Sequence, residues 1–287
     1  MHYINVKGIL SAKNGMNVYR GCSHGCIYCD SRSACYNFDH NFSDIAVKKD
    51  APFLLEKALN SKRRKCMIGT GSMCDPYMHC EESLEITRKC LEIIDKYGFG
   101  ATLLTKSDLI LRDIDLLEHI NEQSKCVVQM TMTTFDEKLC SVIEPNVCTT
   151  KRRFEVLKEM QKRNIPTIVW LTPILPFIND TKENLSGILD YCINAGVKGI
   201  ITWGFGVTLR DGSRDYFYKE LDKHFPGLKQ KYIKKYGLSY ICQSDNEAQL
   251  MKIFNDVCKK HGIMSEPEQI FGYLNKFPEP YNQLSFF

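Results

Sequence analysis

VYRGCSHGCIYC, residues 18–29, contains three cysteines in a run of eight residues: Cys22, Cys26 and Cys29. Two glycines in the same stretch permit the tight backbone bending that a loop around a metal requires. Thiolates are the usual ligands of iron–sulfur clusters, and four of them normally saturate a cubane cluster. Three cysteines leave one iron with an open coordination position, which by analogy with zinc is typical of a catalytic site rather than a structural one.

Two other interpretations of this motif remain open. A zinc ion needs four ligands, and His24 or Cys35 could supply the fourth, although the sequence has no paired CxxC knuckles. A fully ligated electron-transfer cluster, with Cys35 as its fourth ligand, is the second alternative. Both predict a metal whose coordination is completed by the protein alone.

The composition is that of an ordinary globular protein. The chain has 287 residues, of which 44% are hydrophobic and 25% charged, and this length can bury a sizeable core in one α/β domain. No stretch of 18 or more apolar residues is present, and the first ten residues lack the features of a secretory signal. We therefore expect a cytoplasmic protein with no membrane partner.

The cysteine content and the net charge narrow the chemistry further. Fourteen cysteines in a reducing cytosol favour metal binding or thiol chemistry over a disulfide framework. A net charge of +4 permits a polyanionic partner without requiring one. Composition alone therefore does not identify a substrate.

Short β-branched runs alternate with amphipathic stretches, which is the pattern of βα units around a parallel sheet. Strands are predicted at residues 15–19, 66–71, 101–105, 126–133, 166–172 and 198–204. Helices are predicted at residues 51–61, 81–97, 108–122, 149–163 and 181–195, with Thr149 or Thr150 and Asp180 or Thr181 as N-caps. Six βα units predict an α/β fold, a partial (β/α)6 barrel, with reactive groups on loops at the carboxyl ends of the strands.

The alternation stops near residue 205, where the chain becomes helical, aromatic and lysine-rich. We predict a partial-barrel core over residues 1–204, a helical extension over 205–275 that closes the barrel, and an extended tail over 276–287. Lysine and aromatic residues interleave from 219 to 235, and Arg210 and Arg214 lie upstream. Such side chains can neutralise phosphates and stack on bases, although a solvated lysine face on an amphipathic helix explains the same pattern.

The cysteine motif resembles the signature of the radical S-adenosylmethionine (SAM) superfamily, CxxxCxxC with an aromatic residue before the last cysteine, here Tyr28. The resemblance covers roughly residues 15–240 and is greatest to the spore photoproduct lyase-like branch. The other segments that carry it are GTGSMCDPYMHCE (69–81), LLTKSDLILRD (103–113), TMTTFDEKLCSVIEP (131–145) and LTPILPFIND (171–180). It implies a barrel of the radical SAM type with a 4Fe–4S cluster on Cys22, Cys26 and Cys29.

The resemblance also implies a second cofactor, SAM, whose amino and carboxylate groups chelate the open iron. Reductive cleavage of SAM then gives methionine and a 5′-deoxyadenosyl radical that abstracts hydrogen from a substrate, with electrons from a donor such as flavodoxin or ferredoxin.

The same resemblance assigns four side chains to SAM. It places Tyr28 near the adenine, Lys106 at the carboxylate, and Ser72 and Thr131 at the methionyl or ribose groups. A surface lysine and a strand-forming threonine are the alternatives for Lys106 and Thr131. Arg153 could also reach a carboxylate, but its place in KRRFEVL fits a solvated helix charge equally well.

Spore photoproduct lyase uses a cysteine on the loop after its second strand as hydrogen donor. The corresponding loop here reads Gly71-Ser72-Met73-Cys74-Asp75, and the simplest register places Ser72 at the donor position. Cys74, two residues later, is therefore our candidate catalytic thiol, and the resemblance does not by itself imply repair of the same lesion. Asp75 and the proline after it indicate a turn.

The final residues, Gln283–Phe287, read QLSFF and resemble the short peptide by which bacterial polymerases and repair proteins bind the DNA sliding clamp. An exposed terminus suits this mode of binding, although these aromatic residues could instead pack on the enzyme. We therefore predict a radical SAM enzyme that repairs or modifies DNA. The alternatives are modification of RNA or a peptide, and a non-catalytic iron–sulfur protein that binds nucleic acid or the clamp.

Overall fold

The computed structural model describes residues 1–278, and its main feature is a six-stranded parallel sheet. The strands are β1 (His2–Ile4), β2 (Gly15–Met16), β3 (Tyr19–Arg20), β4 (Ala46–Lys48), β5 (Met67–Thr70), β6 (Gly100–Thr105), β7 (Cys126–Thr131), β8 (Thr167–Trp170), β9 (Gly199–Ile201), β10 (Gly206–Thr208) and β11 (Ile241–Gln243). The order in the large sheet is β2-β5-β6-β7-β8-β9, with every neighbouring pair parallel. Because all six strands are parallel, their carboxyl ends meet at one rim.

Helices cover the outside of this sheet and form most of the chain after it. They are α1 (Ala51–Ser61), α2 (Glu81–Leu84), α3 (Ile86–Lys96), α4 (Ile114–Gln123), α5 (Glu137–Ile143), α6 (Thr150–Lys162), α7 (Lys182–Asn194), α8 (Ser213–His224), α9 (Leu228–Tyr236), α10 (Glu247–His261) and α11 (Pro267–Asn275). The predicted fold class, a partial (β/α)6 barrel with a helical C-terminal extension, is confirmed.

The two faces of strand β7 point to different regions of the molecule, one to the main core and the other to the inside of the barrel. All six of its residues are buried, as expected for a parallel strand covered on both faces. Val128 and Met130 pack in the main core with the outer helices, whereas Val127 belongs to a separate cluster inside the barrel. Because successive side chains alternate between faces, Thr131 at the end of the strand also faces inward.

Helix α11 packs inside the barrel. Its Ile270 and Leu274 pack against Val127, Ile168 and Ile201, one residue from each of three neighbouring strands. Its Phe271 packs against Trp170 and Trp203, so the helix also reaches the end of the barrel that holds the cavity. The division of the chain into three parts stays a prediction.

Several boundaries differ from the sequence prediction. The predicted helix over 81–97 is two helices, because Glu85 adopts a left-handed conformation at φ 53° and the buried carboxylate of Glu81 accepts the backbone N–H of Thr87 at 3.0 Å. The helix predicted from residue 108 begins with a 3-10 turn, and α4 starts at Ile114. Thr181 is the N-cap of α7, accepting the backbone N–H of Asn184.

Short elements were missed. The predicted strand over 15–19 is divided between β2 in the barrel and β3 in a small sheet of order β1-β4-β3. Beyond residue 205, where only helices were expected, β10 and β11 form an antiparallel pair. Strands of two or three residues are too short to show a periodicity, which is why the sequence did not reveal them.

Candidate active site

One cavity of about 910 Å³ lies at the carboxyl-end rim of the barrel, and the eight side chains singled out from the sequence all line it. They are Cys22, Cys26, Tyr28, Cys29, Ser72, Cys74, Lys106 and Thr131. The volume is near the upper end of the range for ligand pockets, roughly 300–1,000 Å³. The residues come from four different strand ends, so the parallel sheet is what brings them together.

The cysteine loop is fixed by backbone contacts on both sides. Cys22 donates its N–H to the carbonyl of Phe42 at 3.0 Å, and Ile27 donates to Ile143 at 3.0 Å. Gly21 has φ 87°, and a Cβ there would lie 2.6 Å from the Phe42 carbonyl oxygen, so only glycine allows this approach. The loop is therefore built to hold its thiols in one place.

The spacing of the three thiols fits a cluster better than a single ion. A tetrahedral zinc site with Zn–S bonds near 2.3 Å places its sulfurs about 3.8 Å apart. Among residues 1–278, the sulfurs of Cys22, Cys26 and Cys29 do not all lie within 4.8 Å of one another. A cubane binds each cysteine through a different iron and so accommodates a wider spacing.

Burial raises the pKa values of two of these thiols, so they lose their protons only when a metal binds. Burial raises the pKa of the Cys26 thiol to about 12. Burial, with the neighbouring Cys26 and Asp75, also raises the pKa of Cys22 well above its ordinary value. Such thiols stay protonated unless a cation is bound beside them.

Cys35, which could have completed the metal coordination, lies outside the cavity. Its side chain is exposed, and its sulfur accepts a hydrogen bond from the guanidinium of Arg210 at 3.5 Å. His24 does line the cavity, but it is buried with Nδ1 3.5 Å from a carboxylate oxygen of Asp75.

Asp75 connects three parts of the site. Its Oδ1 accepts the backbone N–H of Tyr77 at 2.9 Å, which forms the predicted turn, and the hydroxyl of Thr105 at 2.6 Å. Its Oδ2 accepts the backbone N–H of Lys106 at 2.7 Å and faces His24 of the cysteine loop. The sequence indicated the turn, but it did not reveal that this buried carboxylate joins the loop after β5 to the end of β6.

A buried ion pair between Arg153 and Glu144 contacts the backbone of the residues that line the cavity. Arg153 Nη1 lies 2.6 Å from Glu144 Oε2, and both side chains are fully buried, so the interpretation of Arg153 as a solvated helix charge is wrong. The guanidinium also donates to the carbonyls of Lys106 and Thr131, each at 3.1 Å. Glu144, which sequence reasoning missed, accepts the hydroxyl of Tyr28. One arginine thus fixes the ends of β6 and β7 and, through Glu144, the aromatic residue of the cysteine motif.

Lys106 brings a positive charge to the cavity. Its Nζ lies 6.0 Å from the centre of the Tyr28 ring. Burial alone would lower the pKa of Lys106, but the nearby Cys26 and Glu144 raise it above its ordinary value. Thr131 is buried at the end of β7, whereas Ser72 is exposed on the loop after β5.

Cys74 is a buried thiol in the cavity wall. Its sulfur donates to the carbonyl of Tyr19 at 3.0 Å. Burial raises its pKa to about 12, so the side chain keeps its S–H at neutral pH.

A second part of the cavity wall is aromatic, and the sequence analysis assigned no role to these aromatic residues. Trp170 and Trp203 line the cavity with ring centres 5.1 Å apart, and Tyr240 and Ile241 extend this wall from the β10–β11 pair. Glu247, the first residue of α10, also reaches the cavity. The position of Trp203 near the end of the predicted strand over 198–204 is the sequence signal that could have drawn attention to it.

Three thiols and a ring of polar side chains at the carboxyl ends of a parallel partial barrel define an α/β-barrel enzyme with a metal-cluster site. The family model of the radical SAM superfamily matches residues 16–192, and the chain belongs to this superfamily. Members of the family use a 4Fe–4S cluster and SAM, and both cofactors are therefore those of this chain.

Two relatives are themselves uncharacterized. The chain is 34% identical over 181 residues to a protein of Methanocaldococcus jannaschii, covering 62% of this chain and 67% of that protein. It is 26% identical over 227 residues to a protein of Mycobacterium tuberculosis H37Rv, covering 77% of this chain and 66% of the relative. The chain thus spans about two thirds of the length of these relatives.

Spore photoproduct lyase complexed with a dinucleoside spore photoproduct has a similar fold. The TM-score is 0.61 at 13% identity, with 86% of this chain and 74% of that chain covered. Similarity at this level concerns the fold. No helix among residues 1–278 combines the length and hydrophobicity that a membrane span requires.

Proposed function

We propose that Cys22, Cys26 and Cys29 hold the 4Fe–4S cluster and leave one iron free for SAM. The observation that carries this proposal is that the three thiols share one cavity with every polar side chain expected to contact SAM. A cluster held there and reduced by an electron donor would supply the single electron for reductive cleavage of SAM, which starts hydrogen abstraction from a substrate.

The protein side chains hold and orient SAM. Lys106 offers a half-buried positive charge to its carboxylate, and a charge-assisted hydrogen bond of this kind is stronger than a neutral one. Tyr28, whose hydroxyl is held by Glu144, presents a fixed ring to the adenine. Ser72 and Thr131 supply hydroxyl groups from two further strand ends for the methionyl and ribose parts.

Cys74 is our proposed hydrogen-atom donor to a substrate radical, and the thiyl radical left on its sulfur returns to the thiol by taking one electron from the electron donor and one proton. A donor of this kind must carry its hydrogen at neutral pH, and the raised pKa of Cys74 keeps the thiol protonated. The thiol also lines the same cavity as the cysteine loop.

We propose DNA as the substrate, in lesion repair or base modification. The similarity of fold to a protein bound to a dinucleoside photoproduct supports this, as do the exposed aromatic residues of the cavity wall. The lysine-rich stretch over residues 219–235 supports a DNA substrate less than its sequence suggested. Lys223 and Lys229 are paired with carboxylates at 2.7 and 2.6 Å, and Lys235 is paired with Asp245.

The remaining assignments concern partners and location. We propose a flavodoxin or ferredoxin as electron donor and the cytoplasm as the compartment, since all 14 cysteines are free thiols. The clamp-binding peptide, Gln283–Phe287, lies outside the described residues, and binding of the DNA sliding clamp through it stays a proposal. Deletion of residues 283–287 should abolish binding to a purified clamp.

The decisive experiment uses anaerobically reconstituted protein with SAM, dithionite and a set of nucleic acids. We expect 5′-deoxyadenosine in the wild type and in Cys35→Ala, and none in Cys26→Ala, because only the latter loses a cluster ligand. Mass analysis of nucleosides then identifies an altered base. Cleavage of SAM with no change in DNA, but a change in RNA or a peptide, would transfer the chemistry to that substrate. Failure to cleave SAM with a full cluster would leave only a binding protein.

A further inference from the structure

The rim at the amino ends of the strands, opposite the cavity, carries a run of positive charge. Residues 62–65 read KRRK and form the loop between α1 and β5. The two lysines donate to uncharged groups, at 2.7 Å to an amide oxygen and at 2.5 Å to a backbone carbonyl. Arg63 and Arg64 are exposed, and neither forms an ion pair with any described residue. The protein itself therefore pairs none of these charges with a carboxylate.

The parallel topology brings further cations to the same rim. Residues directly before a strand lie at its amino end, and Lys125 precedes β7 while Lys198 precedes β9. An isolated β-bridge at the start of β9 also brings the last turn of α10 to this rim, with Lys259 and Lys260. Lys198, Lys259 and Lys260 are exposed. The basic rim, defined as the run 62–65 with these four lysines, thus extends from β5 to β9.

The carboxylates near the basic rim do not balance it. Glu56 pairs with Lys96 at 2.7 Å, so that carboxylate is already neutralised. Glu122, in the last turn of α4, and Glu266, just before α11, are exposed and form no ion pair among the described residues. Their negative charges are outnumbered by the run 62–65 alone, so this face of the molecule keeps a positive potential.

Helix ends explain only part of this charge. The carboxyl end of a helix carries partial negative charge and favours cations in its last turn, which accounts for Lys259 and Lys260. Arg63 and Arg64 lie beyond the end of α1, whose last turn has no basic residue, and Lys198 lies four positions after the end of α7. The dipole effect falls off within the last turn, so it does not account for these three cations.

We propose that the basic rim binds the phosphate backbone of duplex DNA on the side of the barrel opposite the cavity. Neighbouring strands lie about 4.8 Å apart, so the cations spread over roughly 19 Å along the sheet from β5 to β9. That width spans the phosphates on both sides of a major groove, which is about 12 Å wide. The exposed guanidinium groups of Arg63 and Arg64 suit bidentate hydrogen bonds to phosphate.

This surface would keep the enzyme on DNA while leaving the cavity free. Contacts to phosphates carry no sequence information, so binding is indifferent to base sequence. The inference goes beyond the proposed function, although the choice of DNA over RNA rests on it.

The test measures the salt dependence of DNA binding. A fluorescently labelled, undamaged duplex of about 25 base pairs is titrated with reconstituted holoenzyme at several salt concentrations, and affinity is measured by anisotropy. Each phosphate contact contributes about 0.9 to the slope of log K against log salt. We expect the double substitution Arg63→Gln with Arg64→Gln to reduce that slope by about 1.8 and to weaken binding on the order of tenfold at low salt. Lys198→Gln should reduce the slope by about 0.9.

The matched control lies in the lysine-rich stretch over residues 219–235. Lys231 and Lys234 are exposed lysines of α9 that form no ion pair among the described residues. Lys231→Gln with Lys234→Gln removes the same charge as the arginine pair and should leave the slope unchanged. Cluster absorbance and thermal unfolding identify any variant that does not fold.

Three outcomes would overturn the inference. They are a wild type that binds no duplex at low salt, equal changes of slope for the arginine and lysine pairs, and tighter binding to a duplex RNA or to phosphatidylserine vesicles than to DNA. The substrate is tested separately, because the duplex need not be altered to be bound. A rim that binds DNA in an enzyme that changes no nucleoside would refute the DNA substrate alone.

Discussion

Replacement of Arg153 by methionine tests the account of how the cavity is supported. Methionine keeps much of the side-chain volume but removes the charge that lies 2.6 Å from Glu144. It also removes the donor to the carbonyls of Lys106 and Thr131, each at 3.1 Å. Both members of the ion pair are fully buried, so the substitution leaves a charge without a partner in a medium that solvates it poorly.

The expected loss is about 3–5 kcal/mol, the range for breaking a buried pair by removing one partner. That is a large part of the roughly 5–15 kcal/mol by which folded domains are stable. A loss of this size lowers the Tm by on the order of 10 °C in a chain of this length. Differential scanning calorimetry under anaerobic conditions, at matched cluster content, measures it.

The neighbouring arginine provides a matched control. Arg152 also forms ion pairs, at 2.9 Å to Asp108 and 2.9 Å to Glu155, but it is 43% exposed. Arg152→Met should therefore change stability by less than about 1 kcal/mol. The two substitutions are chemically identical and occupy consecutive positions, so a difference between them reports the burial of Arg153 and its hydrogen bonds to the two carbonyls.

A double variant completes the argument. Arg153→Met combined with Glu144→Gln removes both charges, and its loss should fall short of the sum of the single losses by roughly 2–3 kcal/mol. Equal Tm values for Arg153→Met and Arg152→Met, or strict additivity in the double variant, would refute the view that this pair supports the site.

Three further predictions follow from single contacts. Gly71→Ala should lower the Tm strongly because its Cβ would lie 2.0 Å from a backbone oxygen of β6, whereas Gly8→Ala, with open space around its Cβ and no left-handed backbone, should lower it only slightly. Asp75→Ala should raise the KM for SAM, because the backbone N–H of Lys106 loses its acceptor, and Asp75→Asn should recover part of the loss. Thr181→Ala should destabilise the protein by about 1 kcal/mol in urea unfolding, the typical value for an N-cap.

The sequence predicted the features that depend on regular spacing. Six strands and their helices follow from alternating hydrophobic patterns, and the cap of α7 follows from a threonine at the start of one. The resemblance to the radical SAM superfamily assigned Ser72, Lys106 and Thr131 to SAM, and the structure places all three in the cavity that the cysteines line.

The features that escaped prediction depend on contacts between distant residues. The sequence around Glu144 does not distinguish it from a surface glutamate. It is buried because the fold brings Arg153, on another helix, within ion-pair distance. Asp75 resembles any aspartate before a proline until Thr105 and Lys106 are brought to it. Glu247 lies 44 positions beyond Trp203, so their proximity is a property of the fold and not of a motif.

The packing of α11 into the barrel has a kinetic consequence. In the part of the chain that the structure describes, Ile270 and Leu274 fill the barrel interior with apolar side chains, and the cavity opens at the rim that Trp203 and Tyr240 line. A larger substrate bound at this rim covers the way to the SAM side chains. We therefore expect ordered binding, with SAM before the substrate.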